Sequence, residues 1–290
     1  MSVADVNTGP YLVTGASGNV GKEVVRALLS QGGRVRAALR DATLKQGYAP
    51  DFEAVHFDFD DPATYAPALK GVNGLFLMRP NPVLAVKKTL NRLLDVAVDQ
   101  GVAHCVFLSV AGAENNRFVP HHAVEQHLMR GPLRWTMLRA GFFAQNLSGP
   151  YRADIRAGLI VLPAGHGKVA YVDAQDLGDL AAFALLDPVR HAGQAYHLTG
   201  PDCLSFDEVA ALLTLELGRP VRYEAASLWG YWRHCRRRGI GLVPTLAYTM
   251  IHAALRGGSG ASTDPILPAL LGRPARGVRQ FVEENRSIWA

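Results

Sequence analysis

Residues 11–29 read YLVTGASGNVGKEVVRALL, which sets Gly15, Gly18 and Gly21 three residues apart between a β-rich run and an amphipathic stretch. Strand, glycine-rich turn and helix in that order restrict the fold more than anything else in the chain. Val20, Val24 and Leu28 share one helical face, and Gly32 and Gly33 supply a stop. The turn has a specific chemical use. Gly15 permits a sharp exit from the strand, Gly18 lets backbone approach a diphosphate, and Gly21 lets the helix pack close to the sheet. The helix start, at Asn19 and Val20, offers free N–H groups and the positive end of its dipole. Ser17 and Asn19 add side-chain hydrogen bonding.

Further β-rich runs follow at RVRAALR (34–40), AVHFDFD (54–60), GLFLMRP (74–80), HCVFLSV (104–110), WTMLRA (135–140) and QAYHLTG (194–200). Helical patterns lie between them, from about Val83 to Gln100 and from about His121 to Met129, and FAQNL opens another. Alternation of uninterrupted apolar strands with helices predicts an α/β fold, a Rossmann-type doubly wound parallel sheet covered on both faces. From about residue 201 the chain turns helical, beginning with a capping box at SFDE (205–208). The expected division is a dinucleotide-binding domain over 1–200, with about 145–170 contributing to the substrate lobe, and a small, mainly helical substrate lobe over 201–290.

Totals exclude several classes. The chain has 290 residues, 49% of them apolar and 19% charged, as a globular protein does. No run approaches the roughly 18 apolar residues of a membrane span, and no basic n-region with an apolar core opens the chain, so a cytoplasmic protein without a membrane partner is expected. Three scattered cysteines fit reduced thiols. The net charge of +5 is satisfied by a nucleotide cofactor, and RHCRRR (233–238) reads as a solvated helix face, so no nucleic-acid partner is expected. His121, His122 and His127 lack the spacing of a metal set, and no metal is expected.

The end of the second strand chooses the nucleotide. Arg40 stands where an acidic residue would hydrogen-bond a ribose hydroxyl, and a guanidinium there can clasp a 2′-phosphate. Such a charge-assisted bond contributes about 1.5–3 kcal/mol, roughly a ten- to hundredfold preference. NADP(H) is therefore expected ahead of NAD(H), with Arg36 and Lys45 adding to the field and Asp41 opposing.

GASGNVG, VHFDFDDPATYAPALKGVNGLFLM, VEQHL with WTMLRAGFFAQN, and LTGPDCLSFDEVAALLTLELGRPV together resemble the NmrA-like group of atypical short-chain dehydrogenase/reductases. The resemblance implies that Asp58 and Phe59 lie beside the adenine and that Met78, Arg79 and Pro80 line the adenosine side. It also places Ser109 and Val110 near the nicotinamide ribose, and Gly141, Phe142 and Phe143 against the carboxamide and the substrate. Relatives often carry a lysine three residues before the Val-Glu pair, where His121 stands here, so His121 is the candidate for proton donation or hydrogen bonding. No tyrosine has a lysine four residues later, so the superfamily's usual Tyr-x-x-x-Lys acid is missing. Trp229, Tyr231 and Trp232 are candidate walls for a flat substrate. The expected activity is NADPH-dependent hydride delivery to a quinone, activated enone or iminium-type small molecule, by a monomer or homodimer. The alternative is a non-catalytic sensor of NADP(H).

Overall fold

The computed structural model describes residues 9–41, 52–80 and 83–290; Lys45 lies outside them. In chain order come β1 (Tyr11–Val13), α1 (Asn19–Ser30), β2 (Val35–Leu39), β3 (Glu53–His56), α2 (Tyr65–Leu69), β4 (Gly74–Met78), α3 (Leu90–Asp99), β5 (His104–Val110), α4 (Pro120–Arg130) and β6 (Arg134–Ala140). β7 (Phe142–Phe143), α5 (Arg152–Arg156), β8 (Leu159–Leu162) and β9 (Lys168–Val172) follow, then α6 (Ala174–Leu186), α7 (Pro188–His191) and β10 (Gln194–Leu198). The remainder is β11 (Cys203–Ser205), α8 (Phe206–Leu217), β12 (Arg222–Ala225), α9 (Leu228–Arg237), α10 (Leu242–Leu255), α11 (Ile266–Leu271) and α12 (Val278–Glu284).

Two compact units emerge, one of residues 1–140 and 174–198, the other of 141–173 and 199–290. In the first, seven parallel strands run in the order β10-β6-β5-β4-β1-β2-β3. All seven β-rich runs of the sequence lie in this sheet. β5 is buried along nearly its whole length, as a strand covered on both faces must be. On one face, Leu12, Leu75, Leu77, Phe107 and Met137 pack with Leu90, Leu93, Leu94 and Ala97 of α3. α1 packs on α6 so closely that a Cβ on Gly178 would overlap Glu23.

Two local expectations are corrected. The helix expected from Val83 begins at Leu90. Before it, Val86 N–H donates to the Leu84 carbonyl and Lys88 N–H to that of Ala85, so tight turns use the backbone groups a helix would need. FAQNL forms only a 3₁₀ turn, Ala144–Asn146, because Gly149 and Pro150 close off any longer helix. The second unit is mainly helical from Phe206 on, as expected, and also holds the sheets β11-β9-β7 and β12-β8. Its core joins Tyr171, Phe206, Leu213, Phe281 and Trp289. The predicted capping box is present, with Ser205 accepting from Glu208 N–H and Glu208 accepting from Ser205 N–H.

Candidate functional site

Parallel strands deliver their carboxyl ends to one edge of the first unit. β1 lies between β2 and β4, where the strand order reverses, so a crevice opens there by topology. The carboxyl ends of β1, β2, β3, β4 and β5, with the segments that follow them, carry Gly15–Val20, Arg40, Asp58–Phe59, Met78–Pro80 and Ser109–Val110 to that edge.

The loop after β1 is packed so tightly that Gly15 and Gly21 leave no room for a side chain. Gly15 has φ +63°, the left-handed region. A Cβ on Gly15 would lie 2.7 Å from Met78 Sδ, and one on Gly21 would overlap the Gly15 carbonyl. Gly18 caps α1 without any side-chain hydrogen bond, which leaves the helix's first N–H groups facing the loop. Ser17 and Asn19 are exposed, whereas the Val20 side chain belongs to the core. The cradle fits a diphosphate on these observations. Thr14, which the sequence reading passed over, fixes it: its Oγ1 donates to the Phe76 carbonyl and accepts from Met78 N–H, both at 3.0 Å.

Arg40 is exposed directly after β2, and its carbonyl accepts from His56 Nδ1 at 2.7 Å. Arg36 cannot add to its field. It pairs with Glu53 at 2.9 Å and donates to the carbonyls of Ala68 and Lys70. Asp58 Oδ1 accepts from Asp60 N–H. The Phe59 ring is buried, edge-on to Phe57 at 4.9 Å, and the Phe59 carbonyl accepts from Tyr65 Oη at 2.6 Å. Arg79 donates to the carbonyls of Pro80 and Val83, and burial lowers its pKa.

At the end of β5, Ser109 Oγ donates to Glu125 Oε1 at 2.6 Å. Glu125 is fully buried and takes a two-pronged contact from Arg139, at 3.1 and 2.8 Å. Glu114 lies 3.3 Å from the same guanidinium. Sequence spacing gave no sign of this network, because its members come from different elements.

His121 sits in the first turn of α4, buried, 6.0 Å from the Phe107 ring, with Nδ1 unpartnered among the described residues. Burial and the nearby Arg79 charge push its pKa down to about 4. It is therefore neutral near pH 7 and can donate or accept one hydrogen bond, but it holds no imidazolium proton to give. His122 Nδ1 donates to the Ala113 carbonyl, and His127 pairs with Asp95. Among the described residues no group of three or more His, Cys, Asp or Glu is placed to hold a metal ion.

In the second unit, Gly141 precedes β7, and half-buried Phe142 packs edge-on against Tyr171 and Phe206. Phe143 is half-buried as well. Tyr231 is core, packed on His252, while Trp229 and Trp232 stack at 5.0 Å near the surface.

A model of the NmrA-like family matches residues 8–231. An NAD(P)H azoreductase from Xenophilus azovorans is 33% identical over 287 residues, covering 96% of this chain and 98% of its own. The crystal structure of a Citrobacter sp. triphenylmethane reductase complexed with NADP(H) has a TM-score of 0.85 at 24% identity, covering 95% of this chain and 99% of that one. That of an NADPH-dependent quinone oxidoreductase from Escherichia coli complexed with NADPH has a TM-score of 0.85 at 23% identity, covering 94% and 99%. These two likenesses speak to the fold.

Proposed function

The chain belongs to the NmrA-like family, and from that premise we propose that it is an NADPH-dependent reductase of small, flat aromatic molecules. The observation that carries the reading is the glycine cradle at the reversal of strand order, with Arg40 exposed at the end of the neighbouring strand. The azoreductase relative, alike over nearly its whole length, supports the substrate class.

In this reading the N–H groups of the Gly15–Val20 loop hold the diphosphate and Arg40 recognises the 2′-phosphate. Asp58, Phe59, Met78, Arg79 and Pro80 border the adenosine, and Ser109 and Val110 the nicotinamide ribose. For Gly141, Phe142 and Phe143 the assignment to the carboxamide and substrate rests on the family resemblance. When bound, NADPH supplies a hydride. His121, neutral and partly enclosed, offers a hydrogen bond. With no Tyr-x-x-x-Lys acid in the chain, the fitting acceptors are those needing little help with protonation, such as quinones, activated enones and iminium ions. Positioning then supplies much of the rate.

The same missing acid favours one second reading, a binding protein that senses NADP(H) without turnover. Loss of the reduced nicotinamide's absorbance with a panel of quinones, enones, imines and azo dyes separates the two. Turnover with any of them supports the reductase. Tight NADPH binding without turnover supports the sensor, and absence of binding overturns both. Replacing Arg40 with Gln is expected to weaken NADPH binding about tenfold and to leave NADH binding unchanged; equal losses for both would remove Arg40 from its role.

A further inference from the structure

Helix α10 of the second unit has an unusual outer face. It buries Thr245, His252 and Leu255 on one side. On the other, Leu242, Val243, Leu246, Met250 and Ile251 are exposed, Leu246 at 61% and Met250 at 65%. Ala247 and Ala254 complete that face, which carries no polar group. A solvent-facing helix ordinarily shows water its polar side.

Helix α9, packed against α10, is basic and aromatic. Trp229, 62% exposed, stacks on Trp232 with the rings 8° from parallel. Arg233, Arg236, Arg237 and Arg238 are all exposed. Arg238 pairs with Asp154, and Arg236 donates to the Ile240 carbonyl. Arg233 and Arg237 have no acidic partner among the described residues. Residues 225–263 include five arginines and no Asp or Glu.

We propose that α9 and α10 dock the protein on the surface of a bilayer containing anionic lipid. The apolar face of α10 enters the headgroup–acyl boundary, Trp229 and Trp232 sit at headgroup level, and Arg233 and Arg237 meet lipid phosphates. No described helix is long and apolar enough to span a membrane. The missing span led the sequence to be read as having no membrane partner, but a helix lying in the interface plane needs none. Charge decides against a second copy of the chain as the occupant: a two-fold contact through this face would set one arginine cluster near the other. An anionic surface neutralises both. The inference stands apart from the reductase reading.

Sedimentation of the full chain with vesicles tests it. The protein is expected to pellet with vesicles of phosphatidylcholine and phosphatidylglycerol, to be released by high salt, and to stay free of vesicles of phosphatidylcholine alone. Arg233→Gln with Arg237→Gln is expected to weaken binding about 20-fold, and Leu246→Glu with Ile251→Glu to abolish it, each with an unchanged circular dichroism spectrum. Tryptophan emission is expected to shift to the blue on binding, and the shift to vanish when Trp229 and Trp232 are both replaced by Phe. No binding to mixed vesicles, or equal binding to neutral ones, overturns the proposal. So does a dimer, seen by light scattering, that Leu246→Glu with Ile251→Glu splits, since the face would then belong to a second copy.

Discussion

Gly21 shows how little freedom one residue can have. Its missing side chain is what lets α1 begin against the Gly15 carbonyl. Gly21→Ala must push the helix from the loop, an overpacking that costs about 1–3 kcal/mol. A lower thermal midpoint together with weakened NADPH uptake in calorimetry is the expected result; a variant with unchanged midpoint and affinity would show that the loop tolerates the shift. The three glycines were legible because their spacing lies within one short stretch. Thr14, which fixes the same loop, was not, since its bonds reach 62 and 64 residues along the chain; Met78 was read as lining the adenosine side, without its contact beneath Gly15. His121 was legible as a candidate, but its neutrality was not. That depends on enclosure by Phe107 and on the Arg79 charge, which arrive from other strands.

Among elements, the joint between α4, β5 and β6 is the most demanding. Glu125 of α4, without exposure to water, receives Ser109 of β5 and Arg139 of β6. Removing the carboxylate leaves a mostly enclosed guanidinium with Glu114 alone to answer its charge. Glu125→Ala is expected to lower unfolding stability by about 3 kcal/mol, measured by urea titration, with Glu125→Ala in an Arg139→Met background losing less than the two single effects summed. Strict additivity would mean the contact contributes nothing of its own. The seven strands of the first unit were readable because a strand buried on both faces is a run of apolar residues, visible without any partner. The start of α3 and the fate of FAQNL were not, because turn hydrogen bonds near Val86 and the closure at Gly149–Pro150 decide them. β8 and β9 were missed for a related reason: short apolar runs such as LIVL have no periodicity to set strand apart from core helix.

For the molecule as a whole, acidity is the lever. His104, His121 and His252 are buried, and burial is the leading cause that pushes each down to about 4. The folded protein keeps them neutral, while the unfolded chain takes up protons below about pH 6.5. Their contribution is thus complete above about 6.5 and is lost as the pH falls toward 4, by up to about 3 kcal/mol for each histidine. The thermal midpoint is expected to be level between neutral and mildly basic pH and to drop steadily through that acid window. A midpoint unchanged from neutral pH to pH 4 would contradict the neutral burial of these rings.

The first unit takes its final strand, β10, only after the chain has left it at residue 140 and returned at 174. During synthesis β6 must therefore wait as an open sheet edge, and α1 must wait without α6, until residue 198 has emerged from the ribosome. A fragment cut after β6 would keep every glycine of the loop after β1, yet it would be born sticky.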